Sequence, residues 1–285
     1  VEFFTNKKSK TNPEVSKAML EAAIPALEAI NSWTTDAIHD TLIDLAARLE
    51  VKNATLMWPV RIAAAGKLVT SIARLDGNTD GSRLAQVLEY WLGSERPSNA
   101  SALARQSLWF TKSEATDEEI RKRFGAVLLE ALAGKLHAQA QHPLGWLALL
   151  IVLDQFTRNA YRGTAKAFAG DAQALALAQQ GIDAGWDQDP AIPLAARIFC
   201  YLPLEHAEDA ALQTHSVIAF EDLAAQAQEA GDAQVSRLLA GALDYAQRHQ
   251  SVIEQFGRFP HRNRPLGRSS TADEMEYLSK PGSGF

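Results

Sequence analysis

The spacing of apolar residues constrains this chain most strongly, because it follows the helical period over most of the sequence. Apolar residues recur at intervals of three and four, and no stretch shows the sustained polar–apolar alternation with β-branched enrichment that is typical of strands. Asn12-Pro13 predicts the start of the first helix, since Asn accepts free backbone N–H groups and Pro has none to leave unpaired. The sequence therefore predicts an all-α fold.

Two early helices each have one apolar face. The first face carries Val15, Met19, Ala22 and Ala26, and the second carries Ile38, Leu42, Leu45 and Leu49. Capping boxes are predicted at Thr116 with Glu119 and at Thr271 with Glu274. Later helices are predicted near residues 117–140, 144–160, 171–183, 191–200, 206–230 and 232–255.

A cluster of turn-forming residues divides the chain. Residues 76–82 read Asp-Gly-Asn-Thr-Asp-Gly-Ser, which predicts a linker at 76–83 between a segment at 1–75 and a domain at 84–285. Residues 1–75 carry 9 Lys and Arg against 8 Asp and Glu, whereas the remainder carries 19 against 26. The first part is thus near neutral and the second is acidic.

Composition excludes several classes of protein. The net charge of −6 argues against general nucleic-acid binding, which depends on cationic side chains. A single cysteine, Cys200, forms no internal disulfide, so we expect a cytoplasmic protein. The longest apolar run, residues 144–153, is well short of the roughly 20 residues that span a bilayer, so no membrane partner is expected.

Residues 10–70 resemble the C-terminal anticodon-binding region of bacterial glutamyl-tRNA synthetases. The matching stretches are Trp33-Thr34 to Ile38-His39, Val51-Lys52-Asn53, and Trp58-Pro59-Val60-Arg61 with Ala63, Gly66, Lys67 and Thr70. The resemblance implies a helical half-cage of the type that holds a tRNA anticodon stem-loop. Lys52, Arg61 and Lys67 are the candidate phosphate contacts, and Trp58 is expected to pack in the core. No nucleotide-binding fold precedes the segment, so we expect no synthetase catalytic domain.

Residues 84–278 resemble a bacterial family known only as domain of unknown function 924. The matching stretches are Val-Leu-Glu-Tyr-Trp at 87–91, Leu-Asp-Gln-Phe at 153–156, Leu-Pro-Leu-Glu-His at 202–206 and Phe-Gly-Arg-Phe-Pro-His-Arg-Asn at 256–263. The resemblance implies an all-helical, tetratricopeptide-like array. It implies no reaction.

The matched stretches place charged residues within otherwise apolar helices. On a regular helix Asp154, Arg158 and Arg162 would point to one side, and buried arginines need carboxylate partners. The predicted partners are Asp154, Glu205, Glu208 and Asp209. The complete set of candidate ligand-binding residues is Asp154, Arg158, Arg162, Glu205, His206, Glu208, Arg258, His261 and Arg262.

Two interpretations of this set are favoured, and a metal site and catalysis by Cys200 are less favoured. The first is a structural network of ion pairs that locks the helices together. The second is a site for a small anionic or phosphate-bearing ligand. A metal site at Glu205, His206, Glu208 and His261 is not predicted, because neighbouring residues of a regular helix do not share a face. Cys200 is expected to pack as a small hydrophobe, and His39, His137, His142, His215 and His249 have no supporting pattern.

Two functional hypotheses follow. The chain is predicted to be a non-catalytic helical binding or scaffold protein whose first segment retains tRNA binding, with a small anion or a protein as a further partner and no cofactor. The alternative is a hydrolase in which His206 or His261 acts as general acid or base beside Glu205 and the arginines.

Overall fold

A computed structural model describes residues 11–30, 35–62 and 80–283. The chain divides into two compact units, Val1–Arg83 and Leu84–Phe285. Helices are the regular elements of the described ranges, and the predicted all-α class is confirmed. Within those ranges, none of the helices combines the length and apolar character needed to cross a bilayer.

The first unit contains three described helices, α1 Pro13–Glu28, α2 Thr35–Arg48 and α3 Asn53–Ile62. The predicted start of α1 is confirmed, because the Asn12 side chain accepts from the backbone N–H of Val15 at 2.8 Å. The three helices share a core of Met19, Ala23, Leu42, Leu45, Ala46 and Leu56. Leu49 was expected on the buried face of α2 but is exposed, because α2 ends at Arg48.

The second unit contains eleven described α-helices. They are α4 Asp80–Leu92, α5 Asn99–Leu103, α6 Gln106–Trp109, α7 Glu114–Leu132, α8 Pro143–Leu150, α9 Thr157–Ala160, α10 Asp171–Asp183, α11 Ile198–Glu205, α12 Ala210–Ala230, α13 Ala233–Phe256 and α14 Ala272–Leu278. Helix α4 begins at Asp80, within the stretch 76–83 that the sequence predicted as a linker. The first half of that linker lies outside the described residues, as do residues 31–34.

Most predicted helices of the second unit are present, and the exceptions have local causes. The helix predicted at 191–200 is instead a 3-10 helix at Leu194–Ala196 followed by α11 at Ile198–Glu205, which contains Pro203. The predicted 117–140 helix ends at Leu132. Ser113, not Thr116, caps α7, whereas the capping box at Thr271 and Glu274 is confirmed.

A continuous helical segment from Pro143 to Ala160 forms the centre of the second unit. Between α8 and α9 it changes to a π-helix over Ile151–Phe156, a form that is rare and frequently found at functional sites. Each residue from Trp146 to Phe156 is buried. The side chains of Trp91, Phe124, Phe199 and others form the core around it. Cys200 is buried in the same core, as predicted.

Gly181 in α10 allows close packing on this central segment. A Cβ atom at Gly181 would overlap the indole of Trp146, which is fully buried and donates through Nε1 to the carbonyl of Leu177 at 2.7 Å. A Cβ atom added at Gly241 in α13 would meet nothing within 4 Å. The two glycines are therefore a matched pair for testing the packing.

We expect Gly181→Ala to lower the free energy of unfolding by about 1–3 kcal/mol, because the added methyl group forces Trp146 out of its packed position. The control Gly241→Ala should raise it by about 0.5–1 kcal/mol through helix propensity alone. Urea unfolding followed by tryptophan fluorescence measures both. Equal effects of the two substitutions would contradict the packing argument.

Candidate functional site

Asp154 is the buried centre of a polar cluster in the second unit. It lies in the π-helix and is 2% exposed. Its Oδ1 lies 3.2 Å from Nη1 of Arg158 and 2.7 Å from Nδ1 of His206, and its Oδ2 accepts from the Gln155 side chain at 2.6 Å. Burial opposes ionisation, but Arg158 and His206 outweigh it and hold the pKa of Asp154 well below its usual range.

Asp171, at the start of α10, joins two arginines from different parts of the chain. It accepts from Nη1 and Nη2 of Arg158 at 2.8 and 3.2 Å, and from Nη1 of Arg262 at 3.1 Å. The Arg262 guanidinium lies between the rings of Phe168 and Phe259, at 4.8 and 4.7 Å from their centroids. Burial, followed by the charge of Arg158, lowers the pKa of Arg262 to about 10.

Glu205, the last residue of α11, and His206, which caps that helix, lie beside His249 of α13. Oε1 of Glu205 is 3.1 Å from Nδ1 of His249, and the rings of His206 and His249 are 6.1 Å apart. Burial raises the pKa of Glu205 to about 8, with the nearby charge of Asp154 as a further cause. Burial also lowers the pKa of His206 and lowers that of His249 to about 2.

The structure thus brings six of the nine candidate ligand-binding residues into one charged neighbourhood. Asp154 links the first matched stretch to His206 of the second, and Asp171 links Arg158 to Arg262 of the third. The six are Asp154, Arg158, Glu205, His206, His261 and Arg262. His261 belongs here because burial, Arg262 and His206 together lower its pKa to about 4.

The other three candidates form separate pairs. Arg162 lies in the turn after α9 and donates to Asp117 of α7 at 2.6 Å, so the expectation that it shares a helix face with Asp154 and Arg158 is wrong. Arg258 donates to Glu274 of α14 at 2.6 Å, beside a surface cavity. Glu208 accepts from Arg268 at 2.6 Å and lies at the edge of the charged neighbourhood, because its charge also acts on His261 and Arg262.

Two further sequence expectations need correction. Of the four predicted carboxylate partners, Asp209 caps α12 and Glu205 contacts His249 instead of pairing with arginine, while Asp117, Asp171 and Glu274 were missed. The four residues considered for a metal site are not the group that comes together. One donor atom each of Glu205 and His206 lies within 4.8 Å of the other and of a donor atom of His249, a residue without a supporting sequence pattern, whereas Glu208 and His261 are not part of this group.

The candidate RNA contacts of the first unit are only partly described. Lys52 is exposed and precedes α3, where its carbonyl accepts from the backbone N–H of Thr55 at 2.8 Å. Arg61 lies within α3, but its side chain and that of Trp58 are outside the described set. Lys67 lies outside the described residues.

Comparison with known proteins decides the classification of the second unit. The family described as bacterial protein of unknown function (DUF924) matches residues 87–282, which is more than half of the chain. The chain belongs to this family. A solved structure, that of the protein of unknown function Atu0120 from Agrobacterium tumefaciens, is 33% identical, covers 69% of this chain and 97% of its own, and superposes with a TM-score of 0.56.

The first unit of this DUF924 protein matches a different family. The anticodon binding domain matches residues 1–73. Glutamate–tRNA ligases of Clostridium novyi and Clostridium tetani are 49% identical over 67 residues and 46% identical over 69 residues. Each match covers 24% of this chain, and the chain spans 14% of the length of either ligase. Both resemblances inferred from the sequence are confirmed.

We expect Arg158→Met to lower the free energy of unfolding by about 3–5 kcal/mol, because it leaves the buried carboxylate of Asp154 without its arginine partner and removes one of the two arginines of the partly buried Asp171. The matched control is Arg248→Met, which breaks an exposed pair with Asp244 and should cost about 0.3–0.5 kcal/mol. Chemical unfolding of both variants measures the difference. A cost below about 1 kcal/mol for Arg158→Met would contradict a stabilising network.

The lowered pKa of His261 predicts a pH dependence of stability. The unfolded imidazole takes up a proton near pH 6.5, whereas burial and the charges of Arg262, His206 and Arg158 resist protonation in the fold until about pH 4. The charge of Glu208 opposes this shift in the pKa of His261. Stability contributed by neutral His261 is therefore complete above pH 6.5 and falls as the pH drops from 6.5 towards 4.

The measurement is the slope of unfolding free energy against pH between about 6.5 and 4.5. We expect His261→Gln to reduce this slope by up to about 1.4 kcal/mol per pH unit, the value for one proton. His215→Gln, at an exposed position on α12, should keep the original slope. An unchanged slope for His261→Gln would show that His261 does not resist protonation in the folded protein.

Proposed function

We propose that this chain is a non-catalytic helical binding protein whose first unit binds tRNA in the manner of an anticodon-binding segment. One observation carries the proposal, the 49% identity over 67 residues to a glutamate–tRNA ligase. The anticodon binding domain match over residues 1–73 supports it. The helical core of α1, α2 and α3 supplies the rigid surface that such binding needs.

The charge distribution suits a weak, salt-sensitive contact. The chain as a whole is negative, so general attraction to nucleic acid is excluded, whereas the first unit is close to neutral. Exposed Lys52 lies at the start of α3, where free backbone N–H groups also favour anions. Arg61 and Lys67 follow in the part of the sequence that matches the ligases, and we propose them as further phosphate contacts.

For the second unit we propose a scaffold role, with the buried ion pairs as its structural frame. Arg158 and Arg262 both donate to Asp171, and Asp154 contacts both Arg158 and His206, so charged groups from distant parts of the chain are held together. In this proposal the helices of the second unit bind a protein partner or a small anion, as in a tetratricopeptide-like array. The hydrolase alternative has no support from the family matches.

The test is binding of unfractionated tRNA to the full chain by fluorescence anisotropy, in a salt series from about 50 to 200 mM. We expect saturable binding that weakens with salt. Replacing Lys52, Arg61 and Lys67 by Ala should weaken binding at least about tenfold and lower the salt slope by about 2, the value for three lost phosphate contacts to single-stranded RNA.

The matched control replaces three exposed lysines of the second unit, Lys112, Lys122 and Lys166, by Ala. It removes the same charge and should leave affinity nearly unchanged. Equal weakening by both triple variants would show a non-specific charge effect and contradict the proposed surface. Absence of tRNA binding even at the lowest salt would overturn the RNA-binding proposal itself.

A further inference from the structure

The end of α11 and the middle of α13 together present three groups that ligate metals. Donor atoms of Glu205, His206 and His249, one from each side chain, lie within 4.8 Å of one another. Glu205 and His249 are 3% and 4% exposed, and His206 is half-buried. Two imidazoles and one carboxylate are the ligand set of a zinc site with an open position.

Hydrogen bonds orient both histidines for ligation. A carbonyl oxygen only accepts, so the 2.8 Å contact of His249 Nδ1 with the Tyr245 carbonyl requires the proton on Nδ1. The Asp154 carboxylate accepts in the same way from Nδ1 of His206 at 2.7 Å. Each ring therefore has its lone pair on Nε2, and such contacts to carboxylate or carbonyl are the usual support of metal-binding histidines.

Glu205 supplies an independent observation. Its Oε2 atom is buried and has no hydrogen-bond partner among the described residues. The backbone is fixed at this point, because the buried Gln213 side chain donates to the carbonyls of Glu205 and Ala207 at 2.6 and 2.8 Å. A buried carboxyl oxygen without a partner is costly, and a bound cation would remove that cost.

We propose that Glu205, His206 and His249 form a binding site for a divalent ion of the zinc class, a site distinct from the tRNA surface proposed above. Zinc ligands at about 2.0–2.1 Å lie roughly 3.3 Å apart in a tetrahedral site, so donor atoms that lie within 4.8 Å of one another must draw closer when the ion binds.

The ligand types of the site, and the arginines near it, determine which ions bind. Arg158 and Arg262 lie close enough to oppose a cation, but both are neutralised in part by Asp171, and Arg158 also by Asp154. Magnesium and calcium prefer several oxygen ligands, and this site offers a single carboxylate. Imidazole nitrogen binds zinc, cobalt and nickel more strongly. The site therefore favours these ions and rejects magnesium and calcium.

The experiment titrates chelator-treated full chain with zinc chloride by isothermal calorimetry. We expect one equivalent to bind, with no binding of magnesium chloride. Cobalt chloride should give visible absorption bands of a four- or five-coordinate ion. His249→Ala and Glu205→Gln should each remove the stoichiometric binding, and Asp154→Asn should weaken it about 10- to 100-fold by releasing His206.

His215→Ala is the matched control, because His215 is exposed on the neighbouring helix α12 and should not affect binding. Glu205→Gln keeps the shape of the side chain, so it tests the site even where His249→Ala fails to fold, as judged by circular dichroism. Absence of zinc binding to the unaltered chain would overturn the proposal. Stoichiometric zinc binding that survives both Glu205→Gln and His249→Ala would also overturn it.

Discussion

The second unit depends on the burial of the Asp154 carboxylate beside the Arg158 guanidinium. Two opposite charges in an apolar core each cost several kcal/mol in lost hydration, which is recovered only when the geometry and the remaining hydrogen bonds are good. Here Asp154 also accepts from Gln155, and Arg158 also donates to both oxygens of Asp171. The central helical segment can therefore be charged at its middle and still be packed on all sides.

Local features of this fold could be predicted because neighbouring residues determine them. The cap at Asn12 and the capping box at Thr271 both depend on contacts within a few residues. Local rules failed where packing outweighs them. Pro203 usually ends a helix, but it lies inside α11, where each residue from Ile198 to Glu205 is buried and packing compensates for the missing N–H.

The charged partners could not be predicted, because they are distant in the sequence. Arg162 pairs with Asp117, 45 residues earlier, and His249 reaches Glu205 only because α13 packs back against α11. The residue types of the site could be identified from the sequence, because charged groups in apolar helices are unusual. Which carboxylate meets which arginine follows from the three-dimensional arrangement alone. The π-helix likewise has no signal in its sequence, Ile-Val-Leu-Asp-Gln-Phe.

A structural network and a ligand site can both be present in this cluster. The carboxylates that pair with arginine belong to the network, and Glu205 belongs to the proposed ligand site. The acidic groups that pair with arginine have both oxygens satisfied. Asp117 accepts from Asn159 and Arg162, and Glu274 accepts from Arg258 and from its own capping box. Glu205 differs, because one of its oxygens is buried without a partner among the described residues. The same cluster leaves other buried atoms without a partner among the described residues, such as Arg262 Nε, but Glu205 is the carboxylate among them and lies beside two imidazoles. The ion pairs therefore account for the frame, while a cation bound by Glu205 and the two histidines would remove the cost of burying its unpartnered oxygen.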